Sequence, residues 1–507
     1  AGLRLAQKII VDCRFAQAGI KNPANFNPEA LPAPLNQFYL QYFPALSADQ
    51  QMLIFTARKP PNNMNPEPDE NMYVSYWQNG SWSTPQPILE INSPDNEGTC
   101  SISADGRVLV FTACHGNGIV NYGRCDLYIT YRNGDTWSAP ENLGPSINSE
   151  AWESQPSLTA DGRTLYFVST RGGGYGKRDI WSSRKDENGQ WMPATNLGPN
   201  INTDSDELSP FIHVNGRTLF FSSNGYPGFG GYDLYAAESV NRQWSLPKNL
   251  GYPINTCEDQ VGLFITTDGR KGYYSVEKTE GGKYLSSLLQ VFDLPEEVKP
   301  VVKSNYVKGY VYDAKTQEKL SAKIDLFDLK ISSLETSVNS DTENGSYLIV
   351  LNQGSEYALQ VLKQGYAFKS LSFNYTEEKD LEPLEINIAL EPITAGTIFR
   401  LNNIFFAPLS FDLEDKSRTE LDELVKFMNQ NPEVRGEISG HTDDRGSDEY
   451  NMELSLNRAK SVYNYLIQAG VDPARLKYQG YGKNQPAAPN DSEENRALNR
   501  RIEFKIL

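Results

Sequence analysis

The sequence predicts a multidomain chain with three fold types in order: an all-β propeller of five blades, a small β-sandwich and an α/β module. Three observations predict it. The chain's 507 residues exceed what a single hydrophobic core organises. Five hairpin-like segments recur through the first 300 residues. Beyond them the apolar period changes, first to short alternating strands and then to amphipathic helices between strands.

The repeats read "PALSADQQMLIFTA" (44–57), "CSISADGRVLVFTA" (100–113), "PSLTADGRTLYFVS" (156–169), "PFIHVNGRTLFFSS" (210–223) and "GLFITTDGRKGYYS" (262–275). Each is an apolar strand, a turn at Asp49, Asp105, Asp161, Asn215 or Asp268, and a second apolar strand. The turns stand 56, 56, 54 and 53 residues apart. A third strand such as "RDIWSSR" (178–184) and a fourth ending in segments such as "WSAPENLGPSIN" (137–148) complete each unit. Four strands in roughly 50 residues is the arithmetic of a propeller blade. Asn36, Asn92, Asn148, Asn202 and Asn255 repeat the same spacings, and the first precedes the first hairpin. Residues 26–36 are therefore expected to supply the outer strand of the last blade and close the ring over 23–297. The pattern resembles the WD40-like PD40 repeats of periplasmic propellers.

Smaller features sort around this frame. "NGDTW" (133–137) is a loose sialidase-box likeness, better read as a turn with a packing tryptophan, and Trp137, Trp191 and Trp244 are expected to be repeat core. Cys114 and Cys125 end and begin neighbouring strands, so either a disulfide or two free thiols fits. Residues 1–22 predict a helix with Leu3, Ala6, Ile9, Ile10, Cys13 and Ala16 on one packing stripe, as in the last helix of a helical repeat.

Residues 303–393 alternate short strands and turns, with period two clear at Ile386, Ile388 and Leu390. The segment resembles the carboxypeptidase regulatory-like (transthyretin-like) sandwiches, which implies a spacer. Residues 394–507 then predict a small sheet with helices over it. A first helix begins near Ser417, with Ser417 and Glu420 as a capping box and Leu421, Leu424, Val425 and Met428 buried. A second spans about 451–469, buries Leu454, Val462 and Leu466, and stops at Gly470.

Between strand and second helix lies "GHTDDRGSDEYNMELSLNRAK". Asp443 and Arg458 here are either a ligand site or a loop-pinning ion pair. This stretch, with "YQGYGKNQP" and "NRALNRRIEF", resembles the OmpA C-terminal family. The resemblance implies binding of peptidoglycan through the meso-diaminopimelate of its stem peptide. It implies that Asp443 takes the ligand's ammonium and Arg458 its carboxylate, with Thr442, Asn451 and Leu454 beside them and Arg500 in support. One fixed anion and one fixed cation suit a zwitterionic centre, and a planar guanidinium suits a carboxylate. "FAPLSFDL" (406–413) departs from the family pattern, since Ala407 and Leu409 stand where polar residues are expected.

Composition limits the alternatives. A net charge of −17 argues against a nucleic-acid partner. No run of 18 apolar residues suggests a spanning helix. Cys13 follows Asp12, which does not suit lipid attachment, so an address and membrane anchor are expected upstream. Five scattered cysteines and the distant His115, His213 and His441 suggest no metal site, and no cofactor motif occurs. The module order resembles the PorE-type family linked to type IX secretion. That implies a non-catalytic, outer-membrane-associated periplasmic wall anchor whose propeller docks secretion components. A wall-targeted propeller hydrolase and a plain wall linker are the rival readings.

Overall fold

The structure is a computed structural model, and it describes residues 2–60, 69–114, 121–241, 243–280, 283–376, 382–407 and 410–507. His115 and Leu409 lie outside the described residues. The chain divides into two compact units. The first comprises Ala1–Tyr306 with Val350–Asn352, and the second Val307–Ile349 with Gln353–Leu507.

The first unit is built of small antiparallel sheets. Sheet one holds Leu40–Leu46, Met52–Arg58 and Glu70–Gln78; sheet two holds Asn96–Ile102, Val108–Cys114 and Cys125–Asn133. Sheet three holds Glu153–Leu158, Thr164–Ser169 and Asp179–Arg184; sheet four holds Glu207–Ile212, Thr218–Ser223 and Asp233–Val240. In each of these four, one or two two-residue strands complete the outer edge. Sheet five holds Phe264–Ile265, Lys271–Glu280 and Lys283–Asp293, and its outer strand is Glu29–Ala30, paired with Val291 and Gln290.

Turn chemistry explains the hairpins. Asp105, Asp161, Asn215 and Asp268 each accept the backbone N–H two residues on, at 2.8–3.1 Å. The intervening glycines have φ of +66° to +73°, a region that costs other residues strain. In sheet one Gln50 takes that place at φ +56°.

The repeated asparagines are staples. Asn148 accepts the Leu127 N–H at 2.9 Å and donates to the Leu127 carbonyl at 3.0 Å. Asn92, Asn202 and Asn255 do the same to Met72, Ile180 and Leu234. Asn36, from the chain's start, does it to Leu289 in sheet five. The inner strands also share a break in register. It falls at Phe43, Thr99, Gln155 and Ser209, all with φ near +50°, and Gly262 has the same sign at its equivalent place.

Cys114 and Cys125 face each other across neighbouring strands and are joined by a disulfide. Trp137 is buried, while Trp191 and Trp244 are half-buried. His213 is a core histidine, with Nε2 3.1 Å from the Thr266 carbonyl oxygen.

Helix α1 (Gly2–Gly19) corrects the expected stripe. Ile9 and Ile10 are each 51% exposed and Cys13 is exposed. The face that packs is the one bearing Asp12, Phe15 and Gly19, because it meets an aromatic loop of sheet four. Phe15 lies edge-on to Phe229 at 5.4 Å, and Asp12 Oδ1 accepts the Gly228 N–H at 3.3 Å.

Two four-stranded sheets follow along the chain, most of their residues in the second unit. One orders Ser346–Asn352, Ser304–Asp313 and the parallel pieces Leu384–Glu385 and Ile388–Leu390. The other orders Ser333–Asn339, Lys323–Asp328, Glu356–Leu362 and Lys369–Asn374, all antiparallel. Ile388 and Leu390 are buried and Ile386 is half-buried.

The C-terminal sheet orders Ile398–Leu401, Ile502–Ile506, Gly436–Gly440 and Leu476–Gly480, the last two parallel. Helices α2 (Arg418–Gln430) and α3 (Asp448–Gln468) bury Leu421, Leu424, Phe427, Met428, Val462 and Leu466 with this sheet. Leu454 is half-buried, not buried as expected, because it sits at the exposed start of α3. Gly470 stops α3 at φ +95°.

The capping box is also corrected. The Ser417 side chain caps no helix N–H, and its hydroxyl bonds both the N–H and the carbonyl of Phe405. Glu420 turns instead to the preceding sheet, where its carboxylate accepts from Ser370 Oγ at 2.6 Å and from Asn403 Nδ2 at 3.1 Å. Ala367 and Phe368 join the C-terminal core, and Phe368 packs edge-on to Phe399 at 5.2 Å. The β-rich part and the C-terminal part of this unit therefore share apolar burial and a buried polar contact.

Candidate functional site

The strand Gly436–Gly440 ends against α3, and two glycines permit the approach. A Cβ on Gly440 would meet the Ser455 carbonyl oxygen at 2.2 Å, and one on Gly480 would meet the Leu456 nitrogen at 2.5 Å. The loop 441–447 thus leaves the sheet directly beside the start of α3. Ser447 caps that helix by accepting the Tyr450 N–H at 3.2 Å. Gly446 turns the chain at φ +97°.

Asp443 and Arg458 do not pair with each other. Asp443 Oδ2 lies 2.7 Å from Arg500 Nη1, and its Oδ1 accepts the Arg445 N–H at 3.1 Å. Arg500 also bonds Glu493 at 2.8 Å, and Glu493 bonds Arg445 at 2.8 Å. Burial opposes the charge on Arg500, but Asp443 and Glu493 outweigh it and raise its pKa. Arg496 holds Asp444 at 3.0 Å. The acidic loop is therefore pinned by arginines of the C-terminal "NRALNRR" segment.

Arg458 is held differently. Its guanidinium lies 4.9 Å from the Phe406 ring centre, and Nε donates to the Ser410 carbonyl at 3.1 Å. Among the described residues it has no carboxylate within ion-pair distance. Burial lowers its pKa, the Tyr450 and Asp443 charges raise it and Arg500 lowers it. Asp443, Arg500 and Arg458 thus lie within electrostatic reach. The Arg458 guanidinium is half-buried and, among the described residues, has no carboxylate at ion-pair distance.

The remaining expected residues surround this group. Asn451 is buried and donates to the Arg445 carbonyl at 3.0 Å, fixing the loop. Thr442 is buried, its N–H bonds the Gly482 carbonyl, and its Oγ1 has no hydrogen-bond partner among the described residues. Leu454 stands one helical turn before Arg458 on the same face of α3. The "FAPLSFDL" edge has Phe406 bridged to Leu413. It gives Arg458 an aromatic face and a carbonyl in place of polar side chains.

Sequence reasoning missed Arg445, Glu493, Arg496 and Phe406. The charges were visible, but their partners lie about 50 residues apart. It also missed a second network beside the site. His441 is buried and stacks on Tyr481, with Nε2 3.4 Å from Glu503. Burial works against the Glu503 carboxylate, yet His441 and Arg501 hold its pKa at about 2.

The OmpA family model matches residues 405–500. The peptidoglycan-associated lipoprotein of Pseudomonas aeruginosa is 40% identical over 105 residues, which is 21% of this chain and 62% of that protein. Outer membrane porin F of Pseudomonas fluorescens is 40% identical over 94 residues, 18% of this chain and 29% of that one. The crystal structure of the peptidoglycan-associated lipoprotein from Burkholderia pseudomallei is 30% identical, covering 20% of this chain and 88% of that one at a TM-score of 0.20. The chain thus spans less than two thirds of the lengths of these curated relatives. Residues 405–500 of this chain are an OmpA-family C-terminal domain.

Proposed function

We propose that this chain is a non-catalytic periplasmic anchor that ties an outer-membrane-associated protein assembly to peptidoglycan. The carrying observation is Arg458, a half-buried guanidinium with no carboxylate at ion-pair distance among the described residues, within electrostatic reach of Asp443. The pair suits the zwitterionic end of meso-diaminopimelate. Arg458 receives the carboxylate through two parallel hydrogen bonds, and Asp443 shares its charge between Arg500 and the ligand's ammonium. Thr442 offers a hydroxyl nearby, unpaired among the described residues. Peptidoglycan appears in the names of two matching relatives, which supports the same ligand class.

The domain reading is helical segment 1–22, five-bladed propeller 23–297, regulatory-like sandwich 303–393 and wall-binding module 394–507. The five staples and the pairing of Glu29–Ala30 into sheet five support a closed ring. The space between the inner strands is lined by residues such as Phe43, Thr99, Gln155, Ser209 and Phe211. Its lining contains no acid, histidine, lysine or arginine, which favours docking over hydrolysis. Type IX secretion is the assembly that the module order suggests; unchanged cargo secretion after gene deletion would exclude it.

The test is calorimetric titration of the full chain with a diaminopimelate stem peptide and with a lysine stem peptide, which lacks the distal carboxylate. We expect binding to the first alone, weakened by roughly ten- to a hundredfold in Arg458→Ala and in Asp443→Ala, the range for a lost hydrogen bond to a charged group. Equal binding of both peptides, or unaffected variants, would overturn the ligand assignment.

A further inference from the structure

The repeat supplies its own template for a docking site. In sheets three and four, the loop before the third strand has one geometry. The Tyr175 and Gly176 N–H groups point at the Asp179 carboxylate, as the Phe229 N–H points at Asp233. A Cβ on Gly174 would lie 1.7 Å from Asp179 Oδ2, and one on Gly228 would lie 2.3 Å from Asp233 Oδ2. Each loop therefore presents a glycine N–H followed by an aromatic ring.

In sheet four this knuckle is covered. Helix α1 lays Phe15 on Phe229, caps the Gly228 N–H with Asp12, and brings Gly19 so close that a Cβ there would stand 2.5 Å from the Phe229 ring. In sheet three the same knuckle is bare. Tyr175 is 52% exposed, Gly174 is exposed, and its N–H has no partner among the described residues. Pro199, exposed, takes the place of Tyr252, which flanks Phe229 in sheet four. The loop is basic here, with Lys177 in the place of Gly231 and Arg178 in the place of Tyr232, both exposed.

We infer that the Gly174–Tyr175 knuckle of sheet three docks an acidic helix of a partner protein. That helix carries a carboxylate three residues before an aromatic ring and a small residue four after it, as Asp12, Phe15 and Gly19 do on α1. The carboxylate caps the Gly174 N–H, the ring packs on Tyr175, and the acidic flanks meet Lys177 and Arg178. This refines the protein-docking role proposed above by naming its surface and the partner's chemistry.

The probe is a helix-stapled peptide of residues 2–22 carrying Lys8→Glu, Arg14→Glu and Cys13→Ser, titrated into the full chain by fluorescence anisotropy. We expect saturable binding that Tyr175→Ala weakens by about tenfold or more, the size for an aromatic anchor. The Tyr175 side chain is exposed, so this variant keeps the fold, and Tyr175→Phe should bind like the parent. Peptides with Asp12→Ala or Phe15→Ala should lose the interaction. Absence of saturable binding, or equal affinity for Tyr175→Ala, would overturn the proposal. Neither result depends on Asp443 or Arg458, so docking and wall binding succeed or fail separately.

Discussion

Asp443 already holds a cation, since Arg500 lies 2.7 Å from it, whereas Arg458 holds no carboxylate among the described residues. Under the proposed ligand assignment, a zwitterionic centre would gain most at Arg458 and compete with Arg500 at Asp443. Arg458→Lys should keep the charge but lose the paired geometry, weakening stem-peptide binding by about tenfold in calorimetry. Glu503 gives a pH test beside the site. Its folded pKa lies near 2 against an ordinary 4.5, so its stabilising effect is complete above about 4.5 and fades as pH falls towards 2. With the side chain 20% exposed and partly screened, the effect is on the order of 1–2 kcal/mol. Urea midpoints taken down that range should fall more steeply for the native chain than for Glu503→Gln; parallel curves would refute the linkage.

At the scale of elements, the asparagine staples hold each outer edge to its sheet. Asn148→Ala would leave the buried Leu127 N–H without its partner, while the Leu127 carbonyl keeps the Leu143 N–H, costing about 1–3 kcal/mol in chemical denaturation. A loss under about 0.5 kcal/mol would mean that water replaces the staple. Gly436 illustrates the opposite constraint, because a Cβ there would lie 1.9 Å from the Phe504 ring. Sequence patterns located these hairpins and both long helices, since turn residues and apolar periods are local signals. They misassigned Ser417 and Glu420, whose local spacing fits a capping box but whose hydrogen-bond partners are Phe405, Asn403 and Ser370. They misassigned α1 for the same reason. Its apolar stripe is real, but the partner surface selects the Asp12–Phe15–Gly19 face.

At the scale of the molecule, the β-rich stretches Val307–Ile349 and 353–393 belong to one unit with the C-terminal part. Phe368 is 2% exposed among Phe399 and Phe427, and Gln360 Nε2 donates to the Thr419 carbonyl at 3.2 Å. Burial raises the pKa of Glu420, so its bonds to Ser370 and Asn403 matter to where that carboxyl can sit. A fragment of residues 394–507 should accordingly be less stable than one of 307–507 by about 3–5 kcal/mol, the scale of removing one buried phenylalanine from a core. Denaturation curves of the two fragments check this; coincident curves would show the C-terminal module to be self-sufficient.

The sequence by itself determined the repeat, its 53–56-residue period, the turn sites and the identity of the C-terminal family segment, because each is written in residues close together in the chain. It also named Asp443 and Arg458, while leaving their relation open. Only the tertiary structure decided that relation: Arg500, 57 residues from Asp443, takes the carboxylate, and Phe406 takes the guanidinium. It likewise decided that Cys114 and Cys125 are bonded and that α1 covers one aromatic knuckle and leaves its repeat-equivalent bare. Long-range partners are chosen by which surfaces pack together, and packing is a property of the folded chain rather than of any short stretch.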